Sequence, residues 1–380
     1  MKVTVNDSIA NIPAIEWNAV VGCDYPFLRH EFLLAAEKSG SVTPDAGWTP
    51  RHLSIGDRNN KLRAALILYE KSHSWGEFVF DWAWARAYEQ AGHPYYPKLV
   101  SAVPFTPAPS PRLLLADPAD AEAARGLVDA AIVLAGETGC SSFHVLFPTP
   151  SELHLLREAG LHMRKDCQFH WHNDNYTSFD DFLGTFSSSK RKKARRDRRK
   201  VTEAGIRFRH LLGSELTPTD WDIVYRLISI TFMRRGSLPY FSLGFFRQIG
   251  ETLPENTLVI LAEKDGTAIA AAVFYVSETA LYGRYWGSDG HYDALHFETC
   301  YHQGIEYCIE HGLQLFEPGT QGEHKISRGF VPTETWSAHW LAHPEFYSAI
   351  GDYLEAERRH IDRYMNAVES HSPYKTREST

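Results

Sequence analysis

The chain states one pattern twice, and this constrains its fold more than any other feature. Residues 157–171 read Arg157-Glu-Ala-Gly160-Leu-His-Met-Arg-Lys-Asp-Cys-Gln-Phe-His170-Trp171, while 326–340 begin Ile326-Ser-Arg328-Gly329-Phe330 and end Ser337-Ala338-His339-Trp340. Gly160 and Gly329 are 169 residues apart, and so are the two His-Trp pairs. Upstream, Glu137-Thr-Gly139 with the apolar run Phe143–Pro148 echoes Glu310-His-Gly312 with Leu313–Pro318. Further up, Arg51–Ile55, a polar turn and Leu62–Tyr69 echo Thr257–Ala262, a second turn and Ala268–Val276. Solenoid units recur every few tens of residues, so a period this long marks a duplicated domain. The expected place for a site in such a fold is the cleft between its halves.

A chain of 380 residues accommodates two domains of ordinary size, read here as 1–175 and 176–380. No apolar run is long enough to span a bilayer, and the first residues lack the apolar stretch of a signal peptide. The five cysteines, Cys23, Cys140, Cys167, Cys300 and Cys308, are scattered and form no CxxC. They read as free thiols of a reducing cytoplasm, with Cys300 and Cys308 in a core.

The formal charge of −8 conceals an asymmetry. From Lys190 to Lys200 nine of eleven residues are basic and one is acidic, which leaves 30 basic against 46 acidic residues elsewhere. Arg, Lys and Ala are good helix formers, so the spacing predicts a helix over about 187–204, capped by Ser187, Ser188 or Ser189. Like charges four apart oppose such a helix, as do cations in its first turn. An anionic partner resolves both conflicts. Lys190, Arg191, Lys192, Lys193, Arg195, Arg196 and Arg199 are therefore the candidate phosphate ligands for a nucleotide or tRNA. An acidic face of the chain's own domains is the alternative.

Elsewhere the pattern is α/β, and each half runs strand–turn–strand–strand–helix–strand–helix–strand. A mixed sheet with a long helix between two later strands is compatible with a GNAT acyltransferase core. Helices are expected at 27–38, 119–137, 151–159, 218–232, 296–311, 322–329 and 344–368. The aromatic segment Trp75–Trp84 partly alternates as a strand would, and the Pro-rich block 92–111 is expected as an ordered loop.

Three stretches concentrate chemistry. The first, Glu317-Pro-Gly-Thr-Gln321-Gly-Glu323-His324-Lys325-Ile-Ser-Arg328, follows a predicted strand, where active-site loops of α/β folds lie. It offers proton transfer and anion contacts together; the bland alternative is a capping loop with Glu323 paired to Lys325 or Arg328. The second, Tyr282-Gly-Arg284-Tyr-Trp286-Gly287, leads to His296 and Glu298. His296, Glu298, His302 and Glu306 fit no metal-ligand spacing, and no metal is expected. The third places Asp81 between Trp82 and Trp84, with Tyr96 and Lys98 following. A charge among large aromatics is either paired or part of a pocket. The chain has no P-loop, no GxGxxG and no GxSxG elbow.

The stretches 73–85, 95–99, 103–107, 190–205, 281–287, 295–298 and 316–325 resemble the FemAB-like predicted N-acyltransferases of the GNAT superfamily, over nearly the whole chain. The resemblance implies an α/β fold of two tandem GNAT-like (acyl-CoA N-acyltransferase) domains, each a mixed sheet flanked by helices. Fem transferases move an amino acid from aminoacyl-tRNA onto a peptidoglycan-precursor peptide. The usual GNAT pyrophosphate loop is missing, its place taken by Gly287-Ser-Asp-Gly-His291-Tyr-Asp-Ala-Leu-His296. That turns phosphate binding toward the basic helix. The chain is thus expected to be an amide-forming transferase with no permanent cofactor, using aminoacyl-tRNA or acyl-CoA as donor and a small-molecule or peptide amine as acceptor. Glu323, His324 and Lys325 are the candidate catalytic residues, with Glu323 or His324 taking the proton and Lys325, Arg328 or Arg284 facing the oxyanion. Asp81, Trp82, Trp84, Tyr96, Lys98, Arg284, Trp286, His296, Glu298, Glu317, Gln321 and Arg328 are the candidate substrate contacts. The alternative is a silent RNA- or anion-binding protein on a transferase fold.

Overall fold

The computed structural model describes residues 2–22, 25–320 and 322–375. Cys23 and Gln321 lie outside the described residues. The chain forms two compact units: Met1–Asp166 with Glu334–Arg363, and Cys167–Thr333 with Tyr364–Thr380. A single division at 175/176 is expected from the sequence; contacts divide the chain at 166, 333 and 363. The segment after 333 therefore completes the first unit before the chain returns to the second.

The first unit holds strands β1 (Val3–Asn6), β2 (Trp48–Pro50), β3 (His52–Gly56), β4 (Leu62–Leu66), β5 (Tyr69–Lys71), β6 (Lys98–Ser101), β7 (Leu113–Leu115) and β8 (Ser142–Leu146). One sheet has the order β1-β3-β4-β7. In the other, β2-β5-β6 is antiparallel and β6 pairs with β8 in parallel. Its helices are α1 (Ala14–Val21), α2 (His30–Lys38), α3 (Trp82–Gln90), α4 (Ala121–Glu137) and α5 (Leu153–Glu158). Helix α4 buries Ala123, Leu127, Val128 and Ala131, an i, i+4, i+5, i+8 stripe, against Leu53, Leu66 and Phe143.

The chain leaves this unit within β9 (His162–His172) and re-enters it within β15 (Val331–Leu341), whose residues 337–341 pair antiparallel with β8. These strands are the repeat made visible. Their ends are offset by 169 residues, the spacing read from the sequence. Gly160 and Gly329, with φ of 87° and 92°, each stand two residues before their strand. This is backbone that favours glycine, and it turns a helical segment into a strand in both copies.

The second unit adds β10 (Arg207–Leu212), β11 (Thr257–Lys264), β12 (Thr267–Val276), β13 (Ala280–Ser288) and β14 (Leu315–Glu317). Strands β10 to β13 are antiparallel neighbours, β14 lies parallel to β13, and the end of β9 closes on β14. The helices are α6 (Phe179–Gly184), α7 (Ser188–Glu203), α8 (Pro218–Met233), α9 (Leu243–Thr252), α10 (Leu295–Phe297) and α11 (Gln303–Glu310). The last helix, α12 (Pro344–Glu369), runs across the 363 boundary. Helix α8 starts on a capping box, Thr217 with Asp220, with Pro218 in its first turn. It presses so closely on β13 that a Cβ on Gly287 would stand 2.0 Å from the Leu227 carbonyl oxygen.

Three expectations need correction. Asp81 does not sit in a strand: it precedes helix α3, because the chain turns at Gly76 (φ 83°) and Phe78 (φ 59°). The Pro-rich block contains strand β6, whose four residues are all buried. The helix expected over 296–311 is broken by a π-turn at Glu298–His302 between α10 and α11. Helices α1, α6 and α9 also fall on stretches where no helix is expected.

Candidate functional site

In the second unit, β13 outruns its parallel neighbour. Pairing ends at Tyr282 with Glu317, and among the described residues Gly283–Ser288 has no strand on that edge. The chain leaving β14 keeps close, with Pro318 Cα 3.4 Å from where a Cβ on Gly283 would stand. Arg284 is the extra residue of a bulge, since Gly283 pairs with Phe274 while Tyr285 pairs with Val273. A bulge re-aims a side chain; Arg284 reaches Glu317 at 3.0 Å, with both side chains buried. Burial pushes the Glu317 carboxyl up, and Arg284 opposes the rise.

From Glu317 the chain passes through Gly319 to a short 3₁₀ helix, Glu323–Arg328. Lys325 is 1 % exposed and donates to the Gly319 carbonyl. Burial lowers its ammonium to about 7, with Arg284 adding and Glu317 opposing. His170, the histidine of the repeat, is buried too and falls to about 3 through burial, His172, Lys325 and Arg284. The sequence marks His170 only as part of the repeated His-Trp pair, not as a candidate for the site.

His324 lies on the outer side of the turn. Its Nε2 is 2.8 Å from the Tyr301 hydroxyl, and its ring lies 5.6 Å from Phe297 and 6.3 Å from His296. Burial of the crowded ring lowers its pKa, and the charges of Arg328 and Lys325 lower it further. His296 is set against Trp286 at 5.3 Å and drops to about 4 through burial, His324 and Arg328. Arg328 lies over the Phe297 ring at 3.4 Å and donates to the His324 carbonyl. The loop is therefore not the ion-paired cap considered as an alternative: neither Lys325 nor Arg328 pairs with Glu323 among the described residues. Glu323 is exposed and accepts from Tyr364 at 3.0 Å. Arg284, Trp286, His296, Glu317, His324, Lys325 and Arg328 thus share one region. Glu298 faces elsewhere, bound by Arg198 at 3.0 Å and His302 at 2.9 Å.

Helix α7 divides its charge. Arg195 pairs with Asp180, Arg198 with Glu298 and Glu306, and Lys200 with Asp293. Arg191 turns back to the carbonyls of Gly184 and Phe186. Lys192, Lys193, Arg196 and Arg199 are exposed and make no ion pair among the described residues. Lys192, Arg196 and Arg199 follow i, i+4, i+7 and share a face.

The candidates of the first unit gather around Lys98, far in sequence from the loop above. Lys98 is wholly buried, and its three N–H bonds go to Ser74 at 2.8 Å, Glu77 at 2.7 Å and Asp81. Burial alone would raise Asp81; the ammonium overrides it and holds the carboxyl near 2. Glu77, sharing the same cation, is pushed up by burial to about 7. Lys71, directly across the strand pair from Lys98, falls to about 7 through burial. Tyr95 donates to Asp81 at 2.6 Å, and His144 and His339 meet Nδ1 to Nδ1 at 2.7 Å. Trp84 packs edge-on against His339. Asp81, Lys98 and Trp84 are thus buried, while Trp82 and Tyr96 stay half-exposed.

The model of a family named FemAB-like and described as "Peptidogalycan biosysnthesis/recognition" matches residues 8–376. No curated protein matches the chain. Among solved structures, FemX aligns over 92 % of this chain and 100 % of its own, at 12 % identity and a TM-score of 0.56. The C-terminal domain of an Agrobacterium fabrum protein assigned as a lysylphosphatidylglycerol synthetase aligns over 91 % and 96 %, at 12 % identity and a TM-score of 0.55. L-PGS from Bacillus licheniformis aligns over 85 % and 96 %, at 10 % identity and a TM-score of 0.51. At these identities the likeness is one of fold. No helix among the described residues is long and apolar enough to cross a membrane.

Proposed function

Because the chain belongs to the FemAB-like family of transferases, we propose that it transfers an aminoacyl group from aminoacyl-tRNA to the amine of a peptidoglycan-type peptide. The observation that carries this reading is the stretch of β13 that runs past its register with β14, beside Lys325, Arg284 and the Tyr301–His324 pair. An amine must lose its proton to attack, and an imidazole neutral at pH 7 can take it. His324 meets that need better than Glu323, because its lowered pKa keeps it neutral and Tyr301 orients its ring. The amine nitrogen attacks the ester carbonyl and a C–N bond forms. The bond to the tRNA ribose oxygen breaks, and that oxygen takes up the proton held by His324. Positive charge on Arg328, joined by Lys325 below about pH 7, offsets the negative charge that develops on the carbonyl oxygen. The exposed face of Lys192, Arg196 and Arg199 supports a polyanionic donor: a stripe along a helix suits a phosphate backbone, whereas a single diphosphate needs convergent ligands.

The test is to incubate the protein with tRNA charged with labelled amino acids and a soluble peptidoglycan-precursor peptide. Label appearing in the peptide, and not with acetyl-CoA as donor, is expected. Transfer from acetyl-CoA alone would replace the proposed donor, and no transfer from either would overturn the reading.

A further inference from the structure

A second site is built into the first unit. Helix α3 presents Trp82, Arg86 and Glu89 at i, i+4, i+7, and these border a groove of about 740 Å³ together with His93, Tyr95 and Tyr96. That volume is in the range of small-molecule sites. We propose that this groove binds a saccharide.

Three observations point to that class. First, the groove's lining is aromatic yet nearly neutral: Trp82 and Tyr96 supply flat surface, Tyr95 packs buried behind them, and Arg86 offsets Glu89. A sugar ring has an apolar C–H face that stacks on such rings, and its hydroxyls bond to polar groups at the edge. A charged ligand finds no uncompensated counter-charge among these residues, and a purely apolar one leaves Arg86, Glu89 and His93 unserved.

Second, the aromatic wall is fixed from behind. The Tyr95 hydroxyl is held by Asp81 at 2.6 Å and the Tyr96 hydroxyl by Ser74 at 2.8 Å. Lys98 binds both Asp81 and Ser74, so one buried ammonium sets two ring orientations. Ligand sites gain affinity when their walls are ordered before binding.

Third, the neighbouring loop displays two exposed aromatics, Trp75 and Phe80. Trp75 is 65 % exposed, yet Lys71 anchors its carbonyl at 3.2 Å and Arg164 anchors that of Phe80 at 3.0 Å. The Trp75 ring stands at 60° to Trp82, with centroids 5.3 Å apart, extending the groove's floor into an angled shelf. A tryptophan held out into water by a pinned backbone marks a contact surface.

The experiment is titration of the full chain with chitobiose and with cellobiose, following tryptophan emission and binding heat. Saturable binding of at least one sugar is expected, weakened tenfold or more by Trp82→Ala and by Tyr96→Ala, weakened less by Tyr96→Phe, and retained in His324→Gln. The last variant separates this site from transfer chemistry, since binding is read with no donor present. No binding of either sugar, equal binding in Trp82→Ala, or a response to indole but to neither sugar would each overturn the proposal.

Discussion

Arg284 and Glu317 face one another at 3.0 Å, one at the bulge of β13 and the other at the last residue of its parallel neighbour β14. Their side chains are 4 % and 1 % exposed, so each is the other's principal charge compensation. Glu317→Ala leaves a guanidinium buried beside Lys325 and should cost about 3–5 kcal/mol in urea unfolding. The double change Arg284→Met, Glu317→Leu should recover most of that loss. Equal instability of single and double variants would show that the pair is not the source.

His324→Gln should lower aminoacyl transfer by roughly 100-fold, the ordinary scale of general-base loss. Tyr301→Phe should lower it about fivefold, corresponding to one hydrogen bond of about 1 kcal/mol. Neither should move the melting temperature by more than about 2 °C, because His324 is peripheral and the aromatic ring that remains in Tyr301→Phe would stay packed. Initial rates at saturating donor decide this; a His324→Gln enzyme of normal rate would remove the imidazole from the mechanism.

Stability should pass through a minimum near pH 7. Glu77 keeps its proton up to about 7 in the fold but loses it near 4.5 when unfolded. The fold therefore binds more protons between those values, and stability falls as pH rises through them. Lys71 and Lys325 are neutral above about 7 in the fold and charged up to about 10.5 when unfolded. In that window the unfolded chain binds more protons, so stability climbs with pH. Urea midpoints between about pH 5 and 10 should trace both limbs. Glu77→Gln should flatten the acid one, and Lys71→Met or Lys325→Met the alkaline one.

Gly287→Ala should be among the most damaging single changes in the second unit. Its added carbon would meet the Leu227 carbonyl at 2.0 Å and the neighbouring carbon at 2.2 Å, both of them backbone atoms of α8. Relief requires moving a helix off its sheet, and a loss of about 3 kcal/mol or more is expected in chemical denaturation. Gly319→Ala meets only the Gly283 carbonyl at 3.6 Å, so it reports the separate strain of a φ of 91°.

Replacing Lys192, Arg196 and Arg199 together by Ala should reduce the slope of log affinity for tRNA against log salt by about two to three, from roughly 0.7–0.9 per phosphate contact. The paired cations offer a control. Lys200, tied to Asp293 at 2.6 Å, should change that slope little when replaced. A slope unchanged by the triple variant would mean that the stripe does not touch the donor.

What was legible in the sequence follows from what kind of signal each feature left. The duplicated strands and their two glycines were visible because a positive φ leaves a residue-level mark that spacing can match. The basic helix was legible from helix propensity, but its division into paired and open faces was not, since Glu298, Glu306 and Asp293 lie some ninety residues or more beyond it. For Asp81 among its aromatics the sequence left pairing and pocket open; the structure shows it bound by Lys98, in a cluster with Glu77 and Ser74 that no spacing announced. The helix starting at Trp82 was hidden because an aromatic run resembles a strand until the turn at Phe78 is known. The Tyr301–His324 contact joins segments 23 residues apart through a π-turn that no periodicity announces.

The return of the chain to its first unit after residue 333 has a practical consequence. Strand β8 takes one neighbour, β6, from within the first 166 residues and gains residues 337–341 on its other side only from near the far end of the polypeptide. A fragment ending at the midpoint, though it contains a whole copy of the sequence repeat, would expose that edge as a row of unmet N–H and C=O groups and leave His144 without its imidazole partner. On a ribosome, the first half must therefore wait, unfinished, until the second has been synthesised.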